Sequence, residues 1–196
     1  MNLSSDHYEL KALARRIRSE NGLISARVLQ TDLRRIYFNY GIEIDYWPYP
    51  FKTIRGAFMC DDIGTTVMLA QNLPNDPMVF TMAHELKHYL TDRHLKISYC
   101  DQSAFSKAIE IGAEVFASEF LFPDHIFIEY MKRLNVKRNQ CTQQTLVELK
   151  LKTRTTLSYA GLAIKAERLH YAPSRSLTRL RGWRNVERLQ SKKVLS

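Results

Sequence analysis

The sequence predicts an α+β chain, mainly helical, with a small sheet of about three strands. Two observations carry that expectation. Apolar residues recur at helical spacing through most of the 196 residues, and three short runs rich in strand formers stand close together between residues 42 and 70.

The elements are taken in chain order. Asp6 to Glu20 and Ser25 to Tyr40 set Leu10, Leu13, Ala14 and Ile17, then Val28, Leu29, Leu33 and Ile36, at helical intervals. Gly22 and Gly41 stand as stops. IEIDYW (42–47) alternates like a half-buried strand, and Pro48 and Pro50 interrupt the chain just after it. GAFMC (56–60) and TTVMLA (65–70) read as two strands joined by the turn Asp61-Asp62-Ile63-Gly64. From Pro77, PMVFTMAHELKHYL spaces Val79, Met82, Ala83, Leu86 and Leu90 as one helical stripe. Asn75 or Asp76 is the expected cap, with the proline in the first turn, where its missing N–H costs nothing. AIEIGAEVFASEFLFP carries Ile109, Ala113, Phe116, Ala117 and Phe120 and should end near Pro123, which disfavours helix before it. Asp124 to Leu134 is a further helix, KRNQCTQQ a polar break, and Thr145–Lys152 with Thr155–His170 a last pair with helix-turn-helix rhythm. The expected division is a domain over 1–136, a helical extension over 137–172 and a basic tail over 173–196.

Composition bounds the function classes. At 45% hydrophobic and 25% charged residues the chain has a globular composition. No apolar run reaches membrane-spanning length and no secretory signal opens the sequence, so a cytoplasmic protein without membrane contact is expected. Cys60, Cys100 and Cys141 are odd in number and widely spaced, which suits a reducing compartment and lacks metal-ligand spacing. The net charge of +9 is uneven: residues 173–196 hold seven Lys or Arg against one Glu. That tail suggests contact with nucleic acid or an acidic partner, or a solvated terminus that packs loosely.

Residues 84–88, His-Glu-Leu-Lys-His, constrain the chemistry most. On a helix His84 and His88 are one turn apart, so both imidazoles leave one face and can close on one metal ion. Glu85 lies about 100° round the helix from His84, near enough to reach a metal-bound water without being a ligand. With six His and eleven Glu in the chain, such a match arises by chance in roughly 1% of shuffled sequences. The striped helix around it argues further against chance. The pattern describes a Zn2+ ion with a general base beside it.

Catalytic zinc takes a third protein ligand, and two candidates lie downstream. His94 has the spacing of the pattern H-E-x-x-H-x-x-G-x-x-H, but Thr91 stands where that pattern turns on glycine. Glu110 and Glu114 are four residues apart on the following helix and point the same way. One carboxylate there could be a ligand and the other a hydrogen-bond partner of a ligating imidazole. An exposed acidic stripe, to which Glu119 could belong, is the plain alternative.

HELKH, a following helix with E-x-x-x-E, and then VFASEFLFP resemble the ImmA/IrrE family of metallopeptidases. Members carry a later segment of the form E-x-x-A-[ND]-x-F-A-x-x-L-L-x-P. Glu110 falls on its glutamate, Ala113 on its alanine, Phe116 and Ala117 on the Phe-Ala pair, and Leu121 and Pro123 on the closing Leu-x-Pro. The likeness covers most of residues 10–135. It implies a zincin-like domain with a gluzincin-like site: His84, His88 and Glu110 on one zinc ion and Glu85 as base. Three departures stand out. Glu114 occupies the usual Asn or Asp position, Lys87 replaces the glycine that often precedes the second histidine, and Phe120 and Phe122 replace aliphatic residues.

Two function classes are consistent with these features. The first is a zinc endopeptidase whose protein substrate, by the resemblance, is a helix-turn-helix transcriptional repressor, so that cleavage induces stress-response or mobile-element genes. In such folds an edge strand often binds the substrate backbone, and TTVMLA reads either as that strand or as an ordinary half-buried one. The second is a non-catalytic regulator of the same fold that docks on a repressor or on DNA through residues 173–196.

Overall fold

A computed structural model describes residues 3–48, 55–61, 64–93 and 104–194. The chain divides into two compact units, Met1–Leu121 and Phe122–Ser196. The first holds helices α1 (Leu3–Glu20) and α2 (Gln30–Asn39), strands β1 (Ile42–Trp47), β2 (Gly56–Cys60) and β3 (Thr65–Ala70), and helices α3 (Asn75–Lys87) and α4 (Ala104–Leu121). The second holds α5 (Asp124–Arg133), α6 (Gln143–Thr153), α7 (Tyr159–Arg168) and α8 (Trp183–Val194). The α+β class with a small mixed sheet is the one the sequence predicts.

Strand order is β1-β3-β2. β3 pairs parallel with β1, Ile42 opposite Thr65, and antiparallel with β2, Cys60 opposite Thr65. TTVMLA is therefore the central strand, which corrects the reading that makes it an edge. The order of the strands is set by their connections and not by this segment's own composition; the burial agrees with it, Val67 and Leu69 being fully buried and Met59 and Cys60 on β2 exposed. The turn between β2 and β3 closes through Asp61, whose N–H donates to Gly64 O at 3.0 Å and whose Oδ1 accepts from Gly64 N at 3.0 Å.

Helix α3 runs through the middle of the first unit, with Val79, Met82, Ala83 and Leu86 fully buried. It begins two residues before Pro77, with Pro74 at the cap position and no side-chain cap. Pro77 is thus the third helical residue, still within the turn whose N–H groups have no intrahelical partner. Tyr37 of α2, fully buried, donates its hydroxyl to Met82 O at 2.6 Å. Helix α2 starts at Gln30 rather than Ser25, because the Asp32 carboxylate accepts from the Leu29 N–H at 2.8 Å and fixes the first turn there.

Helix α4 packs on α1 and α3. Glu119 is no part of an exposed stripe: its side chain is fully buried and pairs with Arg15 at 2.8 Å. Arg18 donates to Phe120 O and Ser25 O. A buried carboxylate of this kind persists because it is paired.

In the second unit Asp124 opens α5 and accepts from Lys165, at 2.5 Å, and Arg168, at 2.8 Å, both on α7. Helix α6 begins at Gln143 because Thr142 caps it, accepting from Thr145 N at 3.2 Å. It ends at Arg154 in a left-handed conformation, φ 52°. Lys150 satisfies the carbonyls of Thr155 and Leu157 beyond that end, at 2.8 and 2.9 Å. Helix α7 begins after Ser158, later than the sequence suggests, because the Ser158 hydroxyl accepts from Gly161 N. The basic tail is tied back at its start: Glu167 accepts from the N–H groups of Arg175, Leu177 and Thr178. Farther along, Trp183 stacks on Tyr159 at 5.2 Å and 7°.

Candidate metal centre

Helix α3 carries the motif as the spacing requires. His84 and His88 lie one turn apart with ring centroids 5.0 Å apart. Helix α4 brings Glu110 against both: its Oε2 lies 3.1 Å from His84 Nε2 and its Oε1 3.6 Å from His88 Nε2. One donor atom from each of the three residues falls within 4.8 Å of the others. Bonds of about 2.0–2.1 Å in a tetrahedral site separate ligand atoms by about 3.4 Å, and the two contacts of Glu110, one through each oxygen, lie near that spacing. Two imidazole nitrogens and a carboxylate oxygen are also the donor set of a catalytic rather than a structural site.

The partner of His88 is one that the sequence pattern does not assign. His88 Nδ1 lies 2.7 Å from Asp92 Oδ2, and both residues are buried. Asp92 can only accept when ionised, so it holds a proton on Nδ1 and leaves Nε2 turned towards Glu110. Glu114, the residue expected to play this part, is exposed, and among the described residues no hydrogen bond joins it to either histidine. The usable signal is the four-residue interval from His88 to Asp92. His94, the other candidate ligand, lies outside the described residues.

The helix changes character at the second histidine. Residues His88–Asp92 form a π-helical turn, a wider coil that often marks functional positions. Lys87, just before it, is buried and donates to Asp92 Oδ2 at 2.6 Å and to Ile109 O at 3.2 Å. The Thr91 hydroxyl lies 2.9 Å from Asp92 Oδ1.

The charges are coupled. Burial disfavours the imidazolium of His84, but the hydrogen bond to Glu110 and the charges of Glu85, Glu110 and Glu114 outweigh it and raise its pKa. The same hydrogen bond, working against burial, holds the Glu110 carboxyl below its ordinary value. Burial would raise the Asp92 pKa, and the hydrogen bonds from His88, Lys87 and Thr91 bring it down instead. Glu85 goes the other way. Only 5% exposed, it is pushed up from its ordinary value by burial despite the two histidines nearby.

Strand β2 approaches Glu85 closely at Gly56. A Cβ there would stand 2.5 Å from Thr81 Cγ2 and 2.9 Å from Glu85 Oε1. Among the described residues β2 pairs only with β3, so it is the sheet edge beside the motif.

A mainly helical α+β unit with a mixed sheet flanking a His-Glu-x-x-His helix has the zincin-like metallopeptidase architecture. The family model for the IrrE N-terminal-like domain, peptidase family M78, matches residues 41–167, and the chain belongs to that family. Seven solved chains match in structure, among them a Mycobacterium tuberculosis transcriptional regulator with a TM-score of 0.60 and 16% identity. That match covers 88% of this chain and 49% of the other, so this chain spans about half the length of that neighbour. At such identity the likeness is one of fold. No curated protein sequence matches the chain. No helix among the described residues is long and apolar enough to cross a membrane.

Proposed function

We propose that the chain is a zinc-dependent endopeptidase. The carrying observation is the convergence of His84, His88 and Glu110 within 4.8 Å, with Glu85 on the same helix as the two histidines. His84, His88 and Glu110 would hold one Zn2+, which when bound would polarise the scissile carbonyl and acidify water. Glu85 would take the proton of the attacking water on its carboxylate and return it to the leaving amine. Asp92 would hold His88 in the tautomer that presents Nε2. The outer edge of β2, which among the described residues pairs only with β3 and abuts Glu85 at Gly56, would be the place for an extended peptide to add as a strand.

The substrate we infer is a helix-turn-helix transcriptional repressor, whose cleavage would release genes for a stress response or a mobile element. The family resemblance supports this reading, and so does a structural neighbour described as a transcriptional regulator. The test incubates wild type and Glu85→Gln, both loaded with Zn2+, with the repressor encoded beside the gene. Specific fragments from wild type alone are expected. Equal cleavage by Glu85→Gln would remove Glu85 as the base.

A second reading has its own observation. Residues 122–196 hold sixteen Lys and Arg against five Asp and Glu, whereas residues 1–121 hold thirteen against fifteen. Arg184 and Arg188 are exposed and lie one turn apart on α8, while Gln190 of that helix bonds Gln144 O. A regulator docking on DNA through residues 173–196 would use them as phosphate contacts. A salt-sensitive DNA shift weakened by Arg184→Gln/Arg188→Gln, together with absence of proteolysis, would favour this reading over the peptidase.

A further inference from the structure

The lysine inside the motif is buried, and its ammonium touches both ligand-bearing helical segments. In a regular α-helix residues five apart point about 140° away from each other, so Lys87 and Asp92 would not meet. A π-helical repeat of about 4.4 residues per turn reduces that angle to about 50°. The turn over His88–Asp92 is of this kind, and it brings Lys87 Nζ to 2.6 Å from Asp92 Oδ2. That oxygen is the one His88 Nδ1 uses, at 2.7 Å. The same ammonium donates to Ile109 O at 3.2 Å, and Ile109 is the residue before Glu110.

We infer that Lys87 is a positioning residue for the metal centre: through Asp92 it fixes the ring of His88, and through Ile109 O it fixes the helical turn that presents Glu110. This role rests on the metal-binding reading of the site and adds to it a device particular to this chain.

Geometry and charge compensation both support it. A single cation spans the π turn and α4, so the separation of the second and third ligands depends on one side chain, itself 4% exposed. A lysine this buried persists because its charge and donors are used. Asp92 in turn is a buried carboxylate with two strong donors on one oxygen, His88 and Lys87, and the Thr91 hydroxyl 2.9 Å from the other. Removing the ammonium leaves Asp92 with the His88 ring and the Thr91 hydroxyl and frees the turn at Ile109 from α3. Neither ligand is altered chemically, yet their preset spacing is lost. Lys87 touches no substrate and no reacting atom in this arrangement, so its effect is on metal affinity and site order.

The experiment measures Zn2+ and Co2+ affinity of the full chain by competition with a chromophoric chelator, with circular dichroism of the metal-free protein alongside. Lys87→Met is expected to bind Zn2+ about 10- to 100-fold more weakly than wild type, the range found for residues that orient metal ligands. Asp92→Asn should lose a similar factor. The two losses should combine to less than their product, because the variants share the Lys87–Asp92 contact while each also removes one of its own. Arg15→Met serves as the structural control: it breaks the α1–α4 ion pair with Glu119 away from the ligands, and should lower thermal stability while leaving Zn2+ affinity within about twofold. Should Lys87→Met fail to fold, Lys87→Gln keeps a donor without the charge and should weaken Zn2+ binding several-fold. Wild-type affinity in a folded Lys87→Met, or in Lys87→Gln where that variant stands in, overturns the inference while leaving the metal reading intact. Failure of the wild type to bind Zn2+ or Co2+ overturns both.

Discussion

Gly56 and Glu85 stand so close that a Cβ on the glycine would lie 2.9 Å from the carboxylate Oε1. Thr81 closes the same space from the preceding turn of α3, at 2.5 Å. Glycine is needed here for want of room, since only a residue without a Cβ lets the strand reach the helix. Gly56→Ala should therefore displace Glu85 and leave the three proposed ligands, His84, His88 and Glu110, untouched. The expected outcome is Zn2+ affinity within about threefold of wild type and proteolysis reduced by at least about tenfold, given how steeply rates depend on sub-ångström placement. Full activity in a folded Gly56→Ala would mean that Glu85 does not need its present position.

Tyr37 supplies a second test, of the fold around the motif. Its hydroxyl is buried and donates to Met82 O, two residues before His84. Burial, reinforced by the charge of Glu85, raises its pKa well above the ordinary value, so it remains a donor at any working pH. Tyr37→Phe should destabilise the protein by about 1 kcal/mol, the usual net worth of such a bond, because Met82 O keeps its helical partner. Urea unfolding should show a lower midpoint at unchanged slope. An unchanged midpoint would mean the bond carries no net stability.

Most of this architecture is legible in the sequence because local pattern and tertiary role agree. The stripe Val79, Met82, Ala83, Leu86 becomes the buried face of α3, and the alternation of IEIDYW becomes β1. Helical geometry alone places the histidine pair. The features that escape a sequence reading are those created by tertiary structure. Nothing in the composition of TTVMLA distinguishes a central strand from an edge, because the order of strands depends on connections outside the strand. The π turn is likewise invisible to a 3.6-residue period, so the meeting of Lys87 with Asp92 has no signature in the spacing, and Glu114 stands out in the sequence where it is Asp92 that hydrogen-bonds His88. Gly56 reads as no more than the start of a strand, yet it is the point of closest approach to Glu85.

The cysteines should differ sharply in reactivity. Cys60 ends β2 and is exposed, whereas Cys141 is buried and burial pushes its thiol up to about 12. At pH 8 that leaves about one Cys141 in ten thousand as thiolate, and the thiolate is the nucleophile. Iodoacetamide at pH 8, followed by peptide mass spectrometry, should alkylate Cys60 more than about a hundredfold faster than Cys141. Denaturant should bring Cys141 to the rate of a free thiol. Comparable rates in the native protein would contradict the burial of Cys141.

Glu167 joins α7 to the segment after it. Its carboxylate accepts from the N–H groups of Arg175, Leu177 and Thr178 at 2.8–2.9 Å and from the Thr178 hydroxyl at 3.3 Å. Desolvation would raise its pKa, but these hydrogen bonds outweigh it and bring the pKa below the ordinary 4.5. A folded pKa below the unfolded one means that the stabilisation is fully present above about 4.5 and is lost as pH falls through the lower, folded value. Glu167→Gln keeps one acceptor oxygen and loses the charge, so the bonds to the amides weaken at neutral pH. Hydrogen exchange should then show protection of residues 175–178 reduced about tenfold at pH 7, with α7 itself little changed. Lowering the pH below the folded value should erase the difference, since wild type then carries a protonated carboxyl as well. A difference between the two proteins that persists undiminished at pH 2 would show that the clasp depends on shape and not on charge.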